Sequence, residues 1–294
     1  MNIERFSSPL KLAIVVARKV GREVAGTRWS SEVSMKAHPT LGTSSVAETD
    51  ISGQRTVIEC ILKEFPLARF IAEEKGNPAL ASGDEELVYS VDPVDGTTPR
   101  SRSLFMWCTA LGVMQRGNHI GGVIHAPEVC GGLTIAGERD RGVYLWEHAS
   151  SEGIKVSIAD APPKKPFVML GVNVLRLPDY QLLVSAFPNW LKPRSIAESG
   201  ALGLSLIAAG RVDAIIQSPQ MPWDWIGGYP LVLEAGGAFQ AFHLEQGKIV
   251  AVKEPTLIDY ATDREMLGFV AGHRELVPHL FSVLQDAVGC KGVL

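Results

Sequence analysis

One short stretch constrains this chain more than any other. An apolar run, Leu87–Val91, leads directly into Asp92-Pro93-Val94-Asp95-Gly96-Thr97-Thr98. Apolar residues in such a run read as a buried strand, and Pro93 and Gly96 are expected to bend the chain sharply at its end. Asp92 and Asp95 then point to one side of the turn, too close for both to stay ionised without a cation. Hard oxygen donors of this kind suit magnesium. The amides of Gly96, Thr97 and Thr98 are placed to cradle a phosphate, and the hydroxyls of Thr97 and Thr98 to hold a water. Taken alone, the same residues are equally a surface turn capped by aspartates. An EF-hand loop is excluded, because its twelve-residue ligand spacing is absent.

Three further acidic groups flank this motif. Glu48-Thr49-Asp50 lies just before an expected second helix. Glu73-Glu74 ends a short apolar run, and Trp223-Asp224 opens an expected later helix. A lone Glu-Glu pair is ordinarily a solvated strand end. The combination, in this order, points to a metal centre.

The rest of the 294-residue chain supplies a framework. Leu12, Val16, Val20 and Val24 recur every four residues, with Ser8 as cap and Pro9 in the first turn, so a first amphipathic helix is expected. Val57, Ile58, Ile61, Leu62 and Phe65 mark a second, stopped by Pro66. Between them, about Ala37–Val46 reads as a loop. Arg69–Ala72 reads as a strand. Leu104–Met114 and Ile120–His125, joined by Arg116-Gly117-Asn118, read as a hairpin, as do Leu133–Ala136 and Val143–Trp146. Ala159–Lys165 is a break. After it come strand Phe167–Gly171, helix Asp179–Phe187, helix Ser199–Ala209 and strand Asp213–Ile216. A helix from Asp224 to Gly236-Gly237, which Pro230 is expected to kink or limit to a short first segment, strands Ala238–His243 and Leu267–Ala271, and helix Glu275–Ala287 complete the chain. Two halves are expected: 1–160, α+β and carrying most of the acidic clusters, and 161–294, α/β and carrying Trp223-Asp224, together forming one continuous unit.

Composition narrows the function classes. A net charge of -4 and no run of Lys or Arg argue against a nucleic-acid polymer as partner. No stretch is long and apolar enough to span a membrane, and the N-terminus lacks the layout of a signal peptide, so a cytoplasmic location is expected. Cys60, Cys108, Cys130 and Cys290 show no metal spacing and read as buried thiols in a reducing compartment.

These motifs resemble the inositol monophosphatase superfamily, which includes fructose-1,6-bisphosphatases, 3'-phosphoadenosine 5'-phosphate phosphatases and some histidinol-phosphate phosphatases. Asp92 to Thr97 matches its Asp-Pro-(Ile/Val/Leu)-Asp-Gly-Thr signature. Trp223 to Gly237 matches its Trp-Asp-x-x-(Ala/Gly)-Gly and Glu-Ala-Gly-Gly elements, with Glu73-Glu74 and Thr49-Asp50 upstream. The resemblance implies a layered α+β / α/β sandwich of alternating helix and sheet layers. It implies hydrolysis of a small phosphate monoester, dependent on two or three Mg2+ ions and sensitive to lithium, in a homodimer. It implies metal ligation by Glu73, Asp92, the Val94 carbonyl, Asp95 and Asp224. Thr97 and Asp50 would activate the attacking water with help from Glu73, and the amides of Gly96, Thr97 and Thr98 would hold the phosphate. Lys36 would sit in a loop near the site.

The substrate side departs from the family pattern. Gln217 stands where a Glu is usual, seven residues before Asp224. The turn before the helix near 200 reads Glu198-Ser199-Gly200-Ala201, Gly203 replaces a polar residue, and Pro99-Arg100-Ser101-Arg102 follows Thr98 where Asn-Phe is common. Substrate contacts are expected from Gln217, Ser199 and Arg100. Arg100 and Arg102 read either as contacts to a second anionic group or as a solvated loop. Trp223 and Trp225 are expected to pack around the metal-bearing turn, and His125 and His243 to be incidental. Inositol phosphate, sugar phosphate, 3'(2'),5'-bisphosphate nucleotide and histidinol phosphate all stay open as substrates. Two rivals are weighed. A haloacid-dehalogenase phosphatase needs Asp-x-Asp, which the two-residue gap here does not give. A regulatory or binding protein that retains the fold is opposed by the intact acidic set, since uncompensated carboxylates are costly to keep.

Overall fold

The computed structural model describes residues 1–27, 33–38, 42–74, 87–148, 150–171, 184–245, 248–253, 255 and 266–289, with backbone alone for 33–38, 42–47 and 289. Its elements form alternating layers of helix and sheet. Helix α1 (Ser8–Gly26) is followed by the antiparallel pair β1 (Val33–His38) and β2 (Gly42–Ala47), then helix α2 (Glu48–Glu64). A seven-stranded sheet comes next. Its order is β3 (Arg69–Ala72), β4 (Val88–Asp95), β5 (Cys108–Gln115), β6 (Asn118–Ala126), β7 (Leu133–Glu138), β8 (Gly142–Glu147) and β9 (Ile154–Val156). Only the β3–β4 pair is parallel. The short helix α3 (Thr97–Ser101) follows β4.

The second sheet has six strands, in the order β11 (Ser195–Ala197), β10 (Val168–Gly171), β12 (Ala214–Gln220), β15 (Leu267–Gly272), β13 (Ala238–Glu245) and β14 (Lys248–Val252). Helices α4 (Gly200–Ala208) and α5 (Tyr229–Glu234) lie between the sheets, and α6 (Leu276–Gly289) covers the outer face of the second. Separate apolar cores fill the layers. Leu10, Ile14, Ile61, Phe70 and Leu111 pack α1 and α2 onto the first sheet. Leu204, Ile215, Trp225, Ile226 and Phe269 fill the space between sheets. Leu170, Ile216, Val270, Leu280 and Leu284 seat α6.

Several expectations shift in the structure. Ser7, not Ser8, precedes α1, and its amide is held by the Glu138 carboxylate at 2.7 Å. Residues 48–50 form the first turn of α2 rather than the approach to it, which places Glu48 and Asp50 where the helix dipole favours negative charge. Residues 104–107 are not strand, and the first hairpin turns on two residues, Arg116 and Gly117, both at positive φ (49° and 74°). The helix expected from Asp224 is in two pieces, a 3-10 turn Pro222–Asp224 and α5, with Pro230 in the first turn of the latter. Proline lacks the amide and fits only there. Cys130 is exposed rather than buried. The expected helix at 179–187 falls largely outside the described residues, as do Cys290 and the side chain of Lys36.

The expected bend at Pro93 is also absent. Strand β4 runs on through Asp95 with all eight residues buried. Instead the ladder with β5 slips. Asp92 opposes Ala110 and Asp95 opposes Cys108, so three steps on β4 match two on β5. This is a β-bulge, which tolerates Pro93. The buried Thr109 hydroxyl donates to the Pro93 carbonyl at 2.8 Å and ties the bulge to β5. Thr109→Val leaves that carbonyl unpaired, and a loss of about 1–3 kcal/mol is expected in urea unfolding.

Candidate active site

Side chains three apart on a regular strand face opposite ways. The extra residue in β4 cancels that alternation and turns Asp92 and Asp95 to the same face, toward the layer between the sheets. Asp224 reaches them from the 3-10 turn that follows β12. One carboxylate oxygen from each of Asp92, Asp95 and Asp224 lies within 4.8 Å of the others. Glu73, at the end of β3, makes a side-chain hydrogen bond to Asp92. A hydrogen bond between two carboxyl groups needs a shared proton.

The electrostatics follow from this crowding. Asp92 is pushed well above the usual carboxylate range, first by burial and then by the charges of Glu73, Asp95 and Asp224. Asp95 is pushed up to about 7 by burial, with the Ser199 hydroxyl and the Ala201 amide pulling the other way. Without a cation, Asp92 and Asp95 hold their protons more tightly than an ordinary carboxylate. A hard divalent cation relieves the same repulsion and suits an all-oxygen donor set. The residues present therefore fit a divalent metal.

Each of these carboxylates is held from behind. Val94 N–H donates to Asp92 Oδ1 at 2.9 Å. Asp224 Oδ2 accepts from Met221 N–H at 3.1 Å, which fixes the 3-10 turn. Asp95 Oδ2 accepts from both the Ser199 hydroxyl and Ala201 N–H, each at 2.7 Å, at the start of α4. Gln54 on α2 clamps the segment carrying Glu73. Its Nε2 donates to the Glu74 carbonyl at 2.9 Å, and its Oε1 accepts from Glu74 N–H at 2.7 Å. Gln54 was not singled out in the sequence, where a Gln on a helix face gives no signal.

The remaining expected residues are placed as follows. Gly96 has φ 99°, and a Cβ there would meet the Met106 carbonyl at 2.8 Å, so glycine is required where β4 gives way to α3. The amides of Thr97 and Thr98 lie at the start of α3, where a helix has no internal partners for them. The Thr97 hydroxyl donates to the Val94 carbonyl at 3.1 Å. Asp50 is buried in the first turn of α2. For Thr97 to donate to it, the hydroxyl must turn away from Val94.

Two expected substrate contacts have other partners in the structure. Ser199 donates to Asp95. Arg100 is neither solvated nor directed outward: it is only 2% exposed, and its Nη2 donates to the Val24 carbonyl (3.1 Å) and to Thr27 Oγ1 (3.0 Å) at the end of α1. Arg102 is exposed. Gln217 lies on β12 beside a second bulge, between Gln217 and Gln220 in the pairing with β15. It is 1% exposed, and its Oε1 has no partner among the described residues. Its amide fills the space over Gly171. Trp225 is fully buried among His119, Tyr229 and Phe239. His125 is buried, with Nδ1 on the Leu133 carbonyl and Thr134.

Comparison with known proteins agrees with this geometry. The profile of the inositol monophosphatase family matches residues 8–275. The chain belongs to the inositol monophosphatase family. It is similar to the Nus factor SuhB of Escherichia coli K12, 26% identical over 252 residues covering 82% of this chain and 90% of that one. It is 24% identical over 259 residues to an inositol-1-monophosphatase of Mesorhizobium japonicum, covering 84% and 92%. It is 29% identical over 201 residues to a fructose-1,6-bisphosphatase/inositol-1-monophosphatase of Thermotoga maritima, covering 67% and 71%. Among solved structures, an IMPase from Thermotoga maritima superposes with a TM-score of 0.75 at 23% identity, covering 96% and 99%. The layered sandwich is thus the inositol monophosphatase fold. Among the described residues no helix is long and apolar enough to cross a membrane.

The raised carboxylates set a pH dependence. A folded pKa of about 7 against 3.8 unfolded means that the folded Asp95 keeps a proton the unfolded chain releases. Its stabilising contribution is complete below about pH 4 and is lost as pH rises through 7. A bound cation replaces the proton. Magnesium is therefore expected to stabilise the fold little at pH 5 and strongly at pH 8, by about 2.7 kcal/mol at a hundred times its dissociation constant, with the melting temperature rising accordingly. Melting curves with magnesium and with chelator at both pH values check this. An equal effect at pH 5 and pH 8 would contradict it.

Proposed function

We propose that this protein hydrolyses a small phosphate monoester by direct attack of water, using magnesium held by Glu73, Asp92, the Val94 carbonyl, Asp95 and Asp224. The convergence of Asp92, Asp95 and Asp224 carries the reading. Membership of a family whose relatives include proteins named as inositol and fructose phosphatases supports it. When bound, magnesium ions would supply a water of lowered pKa and charge for the phosphate oxygens.

The chain's own residues do the rest by positioning. Thr97 and Asp50 orient the attacking water, with Glu73 beside them. The amides of Gly96, Thr97 and Thr98 hold the phosphate oxygens. Gln217, buried with an unpartnered acceptor oxygen, receives a donor from the substrate. Residues 1–160 and 161–294 act as one catalytic unit, since Asp224 from the second part completes the set begun by the first. The same reading expects inhibition by lithium, a homodimer, a cytoplasmic location and no nucleic-acid polymer as partner.

A panel of inositol phosphate, sugar phosphate, 3'(2'),5'-bisphosphate nucleotide and histidinol phosphate, with and without magnesium and lithium, tests the activity. Magnesium-dependent phosphate release from one class, lost in Asp95→Asn, is the expected result. The neutral Asn removes a buried charge, so the variant should unfold at no lower temperature than the parent at pH 8 in chelator. Full activity in Asp95→Asn would rule out the site.

A second reading has one observation in its favour, that several relatives carry the name Nus factor SuhB rather than that of a phosphatase. On that reading the protein binds cations but turns nothing over. Calorimetric magnesium binding without phosphate release from any of the four classes would select it.

A further inference from the structure

One oxygen of Asp95 is held by two donors. Oδ2 accepts the Ser199 hydroxyl and the Ala201 amide, both at 2.7 Å. Ser199 has its own set of partners. Its Oγ accepts from Leu202 N–H at 3.1 Å, which caps α4, and lies 3.5 Å from Cys108 Sγ. A hydroxyl has one proton and two acceptor positions. The proton goes to the carboxylate, which on Oδ2 has none to give. Leu202 N–H takes one acceptor position, so the thiol must be the donor to the other. The result is a directed chain, Cys108 S–H to Ser199 O–H to Asp95 Oδ2, in which every polar position is used. All three side chains are buried, with Ser199 2% exposed, Cys108 0% and Asp95 7%. Cys108 sits opposite Asp95 across the bulge, so the same slip in the ladder that turns the aspartate also brings the thiol under Ser199.

We propose that Ser199 is a positioning residue for Asp95: anchored by the cap of α4 and by Cys108, it locks Oδ2 and leaves Oδ1 alone to face the other carboxylates, so that Asp95 ligates through one oxygen. This rests on the cation-binding part of the function proposed above, and it reassigns Ser199 from the substrate to the metal side of the site. It also gives α4, which belongs to the second sheet's half, a direct hold on a ligand from the first. Loss of the Ser199 hydroxyl lets the carboxylate rotate, and cation affinity falls although no ligand has been removed.

Manganese binding to the full chain without substrate, read from the free-ion signal in electron paramagnetic resonance, provides the test. Ser199→Ala is expected to weaken binding about tenfold, in line with other residues that orient metal ligands. Ser199→Thr keeps the hydroxyl and is expected to restore most of the affinity. A purely capping role would lower the melting temperature of Ser199→Ala and leave its manganese affinity at the parent value, and that result overturns the proposal. Ser199→Gly, which a cap position tolerates well, decides the matter if Ser199→Ala does not fold: weakened binding supports the proposal and unchanged binding overturns it. Absence of manganese binding in the parent protein is a different outcome, and it would sink the metal-dependent reading itself.

Discussion

The extra residue in β4 is the constraint on which the rest of this site depends. A strand with strict alternation would send Asp92 and Asp95 to opposite faces, one into the α1 and α2 core and one between the sheets. The bulge sends both to the interlayer, where they meet the start of α4 and the 3-10 turn that carries Asp224. Pro93 has no amide to lose at that point, Thr109 holds its carbonyl, and Gly96 closes the strand in a conformation that a side chain would obstruct. Each member of the Asp-Pro-Val-Asp-Gly-Thr run thus has a backbone reason as well as a chemical one.

Bringing the carboxylates together costs stability unless something positive joins them. The fold accepts that cost because the surrounding packing is extensive and the carboxylates are tied to rigid elements: Asp92 to its own bulge, Asp95 to the start of α4, Asp224 to a 3-10 turn and the Glu73 segment to Gln54. These ties come from both sheets and from α2. The two-sheet architecture therefore assembles the site rather than merely surrounding it, and a change in how α4 sits on the first sheet would be felt at Asp95.

Much of this was legible in the sequence. The acidic clusters, the buried strand before Asp92 and the helical stripes of α1 and α2 were all marked by residue type and period. What escaped has physical causes. Edge strands β9, β11 and β14 bury little, so their side chains carry weak alternation. This bulge looks like a turn in sequence, because Asp, Pro and Gly are residues that favour turns. Pro230 contradicted a single helix after Asp224, and the structure resolves the conflict with two short pieces. Ser199, Gln54 and Arg100 were opaque for one reason: the partners of a polar side chain depend on which distant elements the fold brings near. Ser199 and Asp95 are 104 residues apart, and Arg100 and Val24 are 76.

The whole site turns on whether Asp92, Asp95 and Asp224 share one cation. A crystal grown with manganese, with data collected to give anomalous differences at the metal edge, tests it most directly. The expected result is a peak ligated by all three carboxylates, with a single oxygen contributed by Asp95. A fully loaded crystal whose manganese lies elsewhere, with these three side chains unligated, would contradict it.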